Sequence, residues 1–209
     1  MCGLEPGVTD VHLVNGRAVV DSLLVEVAEV EDLALAAVQN AYAEEYPPVP
    51  GPVGLLVGRR AFVYVVGRTS DGRIFTGPFE EAWEVMVDAP VELSQDLGLL
   101  FEPASPVPGA FPVTVIGQDE EWTLDLVVVG PEEVVRIELV GMTNRDGGGS
   151  YSVTGVTADG LHILGLDAVL TVDGVAIESA EGRWLFRGRA PDPGVSVVAS
   201  WNGLEASLE

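Results

Sequence analysis

The side chains able to do acid, base, nucleophilic or metal chemistry are two histidines, one cysteine and 33 acidic residues. His12 and His162 each sit in an apolar run, between Val11 and Leu13 and between Leu161 and Ile163. Alternation at period two puts both on strand faces that point away from a core, as surface residues. Neither belongs to an H-x-H or H-E-x-x-H spacing, so no local zinc pair is formed. Cys2 is the lone thiol, which excludes an intrachain disulfide and a cysteine metal site. It reads as a stray thiol near a terminus. Cys2-Gly3 is also how a bacterial lipoprotein begins after signal removal, so lipid anchoring is the alternative. The stretch Gly148-Gly149-Ser150-Tyr151-Ser152 lacks the closing glycine of a G-x-S-x-G nucleophile elbow. All 10 basic residues are Arg, so a Schiff-base lysine and a P-loop lysine are both absent.

Carboxylates are abundant enough that their pairing carries little information. Glu81, Glu84 and Asp88 flank Trp83. A glycosidase needs two carboxyls about 5–10 Å apart in a cleft. Glu84 and Asp88 fall on one strand face about 13 Å apart by strand rise, which is too far. Four Asp-Gly pairs, at 71, 146, 159 and 173, lie between apolar runs. None fits a calcium-loop spacing, and turns need these residues for backbone reasons. The loop 143–150, TNRDGGGS, is longer than a turn requires; an anion nest and a calcium loop are alternatives, and it reads best as a mobile tip that orders on contact. The run Pro47-Pro48-Val49-Pro50-Gly51-Pro52 reads as a stiff extended segment. These two irregular stretches supply the candidate interaction residues: Pro47, Pro48, Pro50, Pro52, Asn144, Arg145, Asp146 and Gly147. No catalytic, cofactor-binding or metal-binding residue is assigned, and no cofactor is expected.

Charge narrows the partners. The net charge of −23 repels phosphate backbones and anionic headgroups, so nucleic acid is not expected as a partner. No apolar run is long enough to span a membrane as a helix; the most apolar stretch, 53–66, is broken by Arg59-Arg60. Trp83, Trp122, Trp184 and Trp201 fall in phase with apolar neighbours, which suits core positions better than an exposed sugar platform.

These residues must be carried mainly by strands. Asn15-Gly16 and Asp173-Gly174 each separate two β-rich runs, and both predict hairpins with type I′ turns. Residues 22–27 continue the first hairpin as a further strand. Over 31–46 the period changes. Leu35, Val38, Tyr42 and Tyr46 recur at spacings of three and four among alanines, which predicts one helix stopped by the prolines at 47–52. The stretch 62–66, FVYVV, apolar on both faces, predicts a central strand covered on both sides. Residues 93–102 fit either a strand or a helical turn. The segment 103–112, PASPVPGAFP, is the best boundary. Beyond it, about eight short alternating runs follow with no helical period.

The chain is therefore expected to be mainly β. An N-terminal α+β domain (1–102, an antiparallel sheet with one helix at 31–46) precedes a proline-rich linker (103–112) and a C-terminal Ig-like β-sandwich (113–209). The expected function is that of a non-enzymatic structural or interaction protein. It would be a subunit of an extracellular or virion assembly of the phage capsid or tail type, with protein partners and a homo-oligomer or larger assembly. The alternatives are a cell-surface module binding sugar or protein, and a glycosidase-like enzyme with paired carboxylates. Location is expected to be extracellular or virion, with the cytoplasm left open.

Overall fold

The computed structural model describes residues 7–15, 18–27, 31–37, 53–70, 74–75, 84–97, 100–116, 121–143, 147–177, 179–180, 185–189 and 194–208. The strands in chain order begin with β1 (Gly7–Asn15), β2 (Ala18–Val27), β3 (Asp32–Ala37), β4 (Val53–Leu56), β5 (Val63–Arg68), β6 (Ile74–Phe75) and β7 (Glu84–Val87). Then come β8 (Glu92–Leu97), β9 (Leu100–Ala104), β10 (Gly109–Ile116), β11 (Glu121–Val129), β12 (Val134–Thr143), β13 (Gly148–Thr157) and β14 (His162–Leu164). The last are β15 (Val169–Val172), β16 (Val175–Ile177), β17 (Ser179–Ala180), β18 (Leu185–Arg189), β19 (Val197–Trp201) and β20 (Leu204–Leu208). A 3-10 turn, Pro131–Glu133, precedes β12.

The expected helix is not formed where it should begin. Asp32–Ala37 is a strand, paired antiparallel with β5 from Asp32 opposite Arg68 to Ala37 opposite Val63. The reason lies in the packing. Leu33, Leu35 and Ala37 alternate, and all three are buried in one core. That period-two burial outweighs the helix propensity of the alanines, a weak preference that tertiary contacts override. The Asp32 carboxylate caps no helix. It accepts from the Leu33 amide and pairs with Arg68. Residues 38–46 lie outside the described residues.

A nine-stranded central sheet organises the molecule. Its order is β17-β18-β13-β14-β4-β11-β10-β7, with β12 on the other side of β13. A first outer sheet runs β3-β5-β9-β8, with β6 on β5, so β5 is central there as its double-sided apolar run predicts. A second outer sheet runs β16-β15-β19-β20. The hairpin β1–β2 forms a separate two-stranded sheet; residues 22–27 continue β2 and are not a new strand.

The two outer sheets cover opposite faces of the central one. On β4, Val53 and Leu55 enter a first core, and Leu56 enters a second. On β11, Leu126 and Val128 enter the first and Val129 the second; on β14, Leu164 enters the first and Ile163 the second. Adjacent strand residues point to opposite faces, so this split means one sheet is shared by two β-sandwiches. The first core adds Leu33, Leu35, Val63 and Val65 from the first outer sheet. The second adds Leu170, Val172, Val197, Ala199 and Trp201 from the second outer sheet.

Strands from both sides of 103–112 meet in the central sheet. Strand β4 lies parallel to both β14 and β11, and β7 pairs antiparallel with β10. The proline-rich segment itself holds the end of β9 and the start of β10. Turn chemistry follows the sequence. Asp173 and Gly174 have φ of 50° and 76°, as a type I′ hairpin requires. Asn202 and Gly203, at 46° and 81°, make a second such turn between β19 and β20. A bulge between Val134 and Arg136 interrupts the alternation, so Val135 and Arg136 are both exposed between buried Val134 and Ile137.

Candidate interaction surface

Of the eight residues singled out from sequence, Gly147 is described. It is exposed, with φ of 80°, directly before β13. The hairpin β12–β13 is ten residues on each arm, and its last pair is Thr143 with Gly149. The stretch expected as a loop over 143–150 is thus shorter than its sequence suggests: Thr143 and Gly148–Ser150 belong to the paired strands, and Gly147 has left-handed backbone just before β13. Pro47, Pro48, Pro50, Pro52, Asn144, Arg145 and Asp146 lie outside the described residues.

The groups that could do chemistry are engaged in structural contacts. Arg59 donates to Asp167 at 2.5 Å, and the other oxygen of Asp167 accepts the Trp201 indole N–H at 2.8 Å. Burial works against ionisation of Asp167, but the Trp201 and Arg59 contacts outweigh it and hold its pKa below the usual value. Arg60, the next residue, reaches the other way and donates to Glu92 at 2.8 Å. The adjacent arginines thus tie the turn after β4 to both outer layers. Arg68 pairs with Asp32, whose pKa is lowered chiefly by that hydrogen bond.

His162 is a correction. It is not a surface residue; its side chain is 12% exposed. Its Nε2 lies 3.0 Å from Glu138, which also accepts from Arg136 at 2.7 Å. The histidine Nδ1 is buried without a hydrogen-bond partner. An imidazole with an empty Nδ1 fits the tautomer protonated on Nε2, donating to the carboxylate. Burial opposes the Glu138 charge, and Arg136 and His162 overcome it, so its pKa is lowered. His12 is exposed on β1, as its alternation predicts. Trp201 is a core residue at 6% exposure, and Trp122 packs half-buried on the first core. Trp83 and Trp184 lie outside the described residues.

Glu84 and Asp88 are both exposed beside β7. Near them is a shallow cleft of about 410 Å³, lined by Met86, Val87, Asp88, Val91, Leu93, Pro112 and Thr114. Among the described residues that line it, Asp88 is the one carboxylate, so they do not supply the carboxylate pair of a glycosidase. Among the described residues, no group of three or more His, Cys, Asp or Glu side chains is placed to hold a metal ion. No described helix is long and apolar enough to cross a membrane.

Two features escaped the sequence reading. The strand β20 follows Asn202-Gly203, and Leu204, Ala206 and Leu208 pack on the second core. The Asn-Gly pair was the signal for it. The mutual exchange of β4 and β7 into the central sheet had no sequence signal, because register between distant strands leaves no local pattern.

No protein-family model matches the chain, and no curated protein matches it. Solved structures give weak likenesses. Domains 4–9 of surface layer protein SbsC align at 15% identity and a TM-score of 0.46, covering 97% of this chain and 34% of that one. Domains 5–6 of the S-layer protein SbsC align at 14% and 0.44, covering 86% and 95%. The D00-D0 domain of Intimin aligns at 11% and 0.28, covering 85% and 96%. This chain thus spans about a third of the first of these structures.

Proposed function

We propose that this chain is a non-enzymatic structural module of an extracellular assembly, with protein partners and a homo-oligomeric or larger state. The observation that supports it is the shared central sheet. Two cores on opposite faces of one sheet make a stiff, staggered block with hairpin tips at its ends, a shape suited to transmitting contacts between neighbours. The polar groups described above serve that block: Arg59–Asp167, Arg60–Glu92 and Arg68–Asp32 each join two segments of it. The candidate contact points are the 143–150 tip and the 47–52 segment. A virion shell or tail and a cell-surface layer are both settings for such a module.

Light scattering and electron microscopy of the native chain test this. A defined oligomer or array, lost on deletion of 47–52 or 144–149, is the expected result. A strict monomer at all concentrations overturns it.

A further inference from the structure

The first core is built from two pieces of chain that cross once. Residues up to 104 supply Leu33, Leu35, Val63, Val65 and Val85; residues from 109 on supply Val113, Val115, Leu126, Val128 and Leu164. Strands β4 and β7 of the first piece complete the central sheet by pairing with β11, β14 and β10 of the second. The sole covalent crossing between the pieces is the four-residue connection 105–108, Ser-Pro-Val-Pro.

That connection is bent at Pro106–Val107, where the Ser105 hydroxyl donates to the Val107 carbonyl and accepts from its amide, and the Ser105 carbonyl accepts from the Gly58 amide; its prolines favour a more extended form. Pro106 and Pro108 fix their own φ near −65°, and Ser105 and Val107, each preceding a proline, are pushed out of the α region. A short stiff crossing between interlocked halves is the arrangement in which the same contacts form as readily between two chains as within one. We propose that this chain exchanges its first 104 residues with a second copy of itself, each copy's β4 and β7 completing the central sheet of the other.

Charge opposes either kind of dimer, and an exchanged one is retained by the barrier to reopening the first core. Two chains of −23 repel, and a dimer held by a new surface patch must overcome that repulsion with new contacts. Exchange reuses the intramolecular first core and needs no new apolar patch. The inference deepens the assembly reading by naming the partner. A chain that assembles by surface contacts alone would still oligomerise while keeping every β7–β10 pair within one chain, so the two ideas fail separately.

The test uses the register pair Met86 and Thr114, directly opposite on β7 and β10. Antiparallel partners lie about 4.5–5.5 Å apart at Cα, within disulfide range. Full-length chain carrying Cys2→Ser, Met86→Cys and Thr114→Cys is refolded from denaturant over a range of protein concentrations, then oxidised. The expected result is a dimer by light scattering that grows with refolding concentration, persists on dilution, and runs as covalently joined chains on a non-reducing gel. Lengthening 105–108 with a glycine-serine insert should lower the dimer fraction severalfold. Intrachain disulfides alone overturn the proposal, whatever the oligomeric state. So does a dimer fraction that the insert leaves unchanged. The chain without new cysteines supplies an independent check, since a purely monomeric product after concentrated refolding also overturns it.

Discussion

The two cores are of similar size and composition, but they are assembled from different lengths of chain. Every buried member of the second core lies between residues 129 and 201 except Leu56. The first draws ten buried residues from 33–91 and five from 113–164. The second sandwich is thus a local product, closed by hairpins such as β15–β16 and β19–β20. The first exists only when distant strands meet, and long loops must close before its contacts form. The difference teaches where the molecule can open. Separation along the first core breaks few covalent neighbours, whereas the second core stays together through its own turns.

The sharpest way to break this comparison is to remove one buried leucine from each core. Leu55 and Leu170 are both fully buried. Leu55→Ala and Leu170→Ala should each cost roughly 2–5 kcal/mol in urea denaturation, since a cavity is left in either case. The two variants should differ in which tryptophan responds: Trp122 on the first core for Leu55→Ala, Trp201 in the second for Leu170→Ala. Single-tryptophan backgrounds read this directly. Equal responses of both probes in both variants would show one undivided core.

A smaller effect is expected at the strand that joins the cores. A Cβ on Gly54 would lie 2.6 Å from the backbone oxygen of Val127 and 3.1 Å from Leu161. The backbone atom cannot move without disturbing β11. Gly54→Ala should therefore cost roughly 1–3 kcal/mol by thermal unfolding, and both tryptophan probes should register it. A neutral result would mean that β4 is not held tightly between its neighbours.

The smallest effect sharpens the boundary of the second core. Asp167→Ala strips the partner from the buried Trp201 indole, and should cost about 1 kcal/mol while shifting Trp201 emission with little change at Trp122. The same contact sets a pH response. The folded pKa of Asp167 is lowered, so its contribution is complete above the ordinary carboxylate range near pH 4 and is lost as pH falls below it. An acid titration followed at Trp201 should show that loss in the parent and a weaker one in the variant.

Most strands were legible in the sequence because their signals are local. The alternation in β11, the turn at Asp173-Gly174 and the double-sided apolar run of β5 each state their structure within ten residues. Asn202-Gly203 stated it too, and β20 follows from it by the same rule. The 31–46 stretch misled because Leu35 and Val38 fit a helical period while Leu33, Leu35 and Ala37 fit a strand period. Only the presence of β5 alongside decides between them. His162 misled for a related reason: alternation says that a residue points away from one core, but in a sheet covered on both faces the other side is buried as well.

Composition and turn residues by themselves determined a mainly β chain with a strongly acidic surface, because backbone preference and charge are properties of single residues and their neighbours. The tertiary structure alone decided that the two halves share one sheet. Pairing of β4 with β11 and β14 joins residues some 70–110 positions apart. Such pairing is selected by the fit of whole faces and by register, and neither is written in any one stretch of the chain.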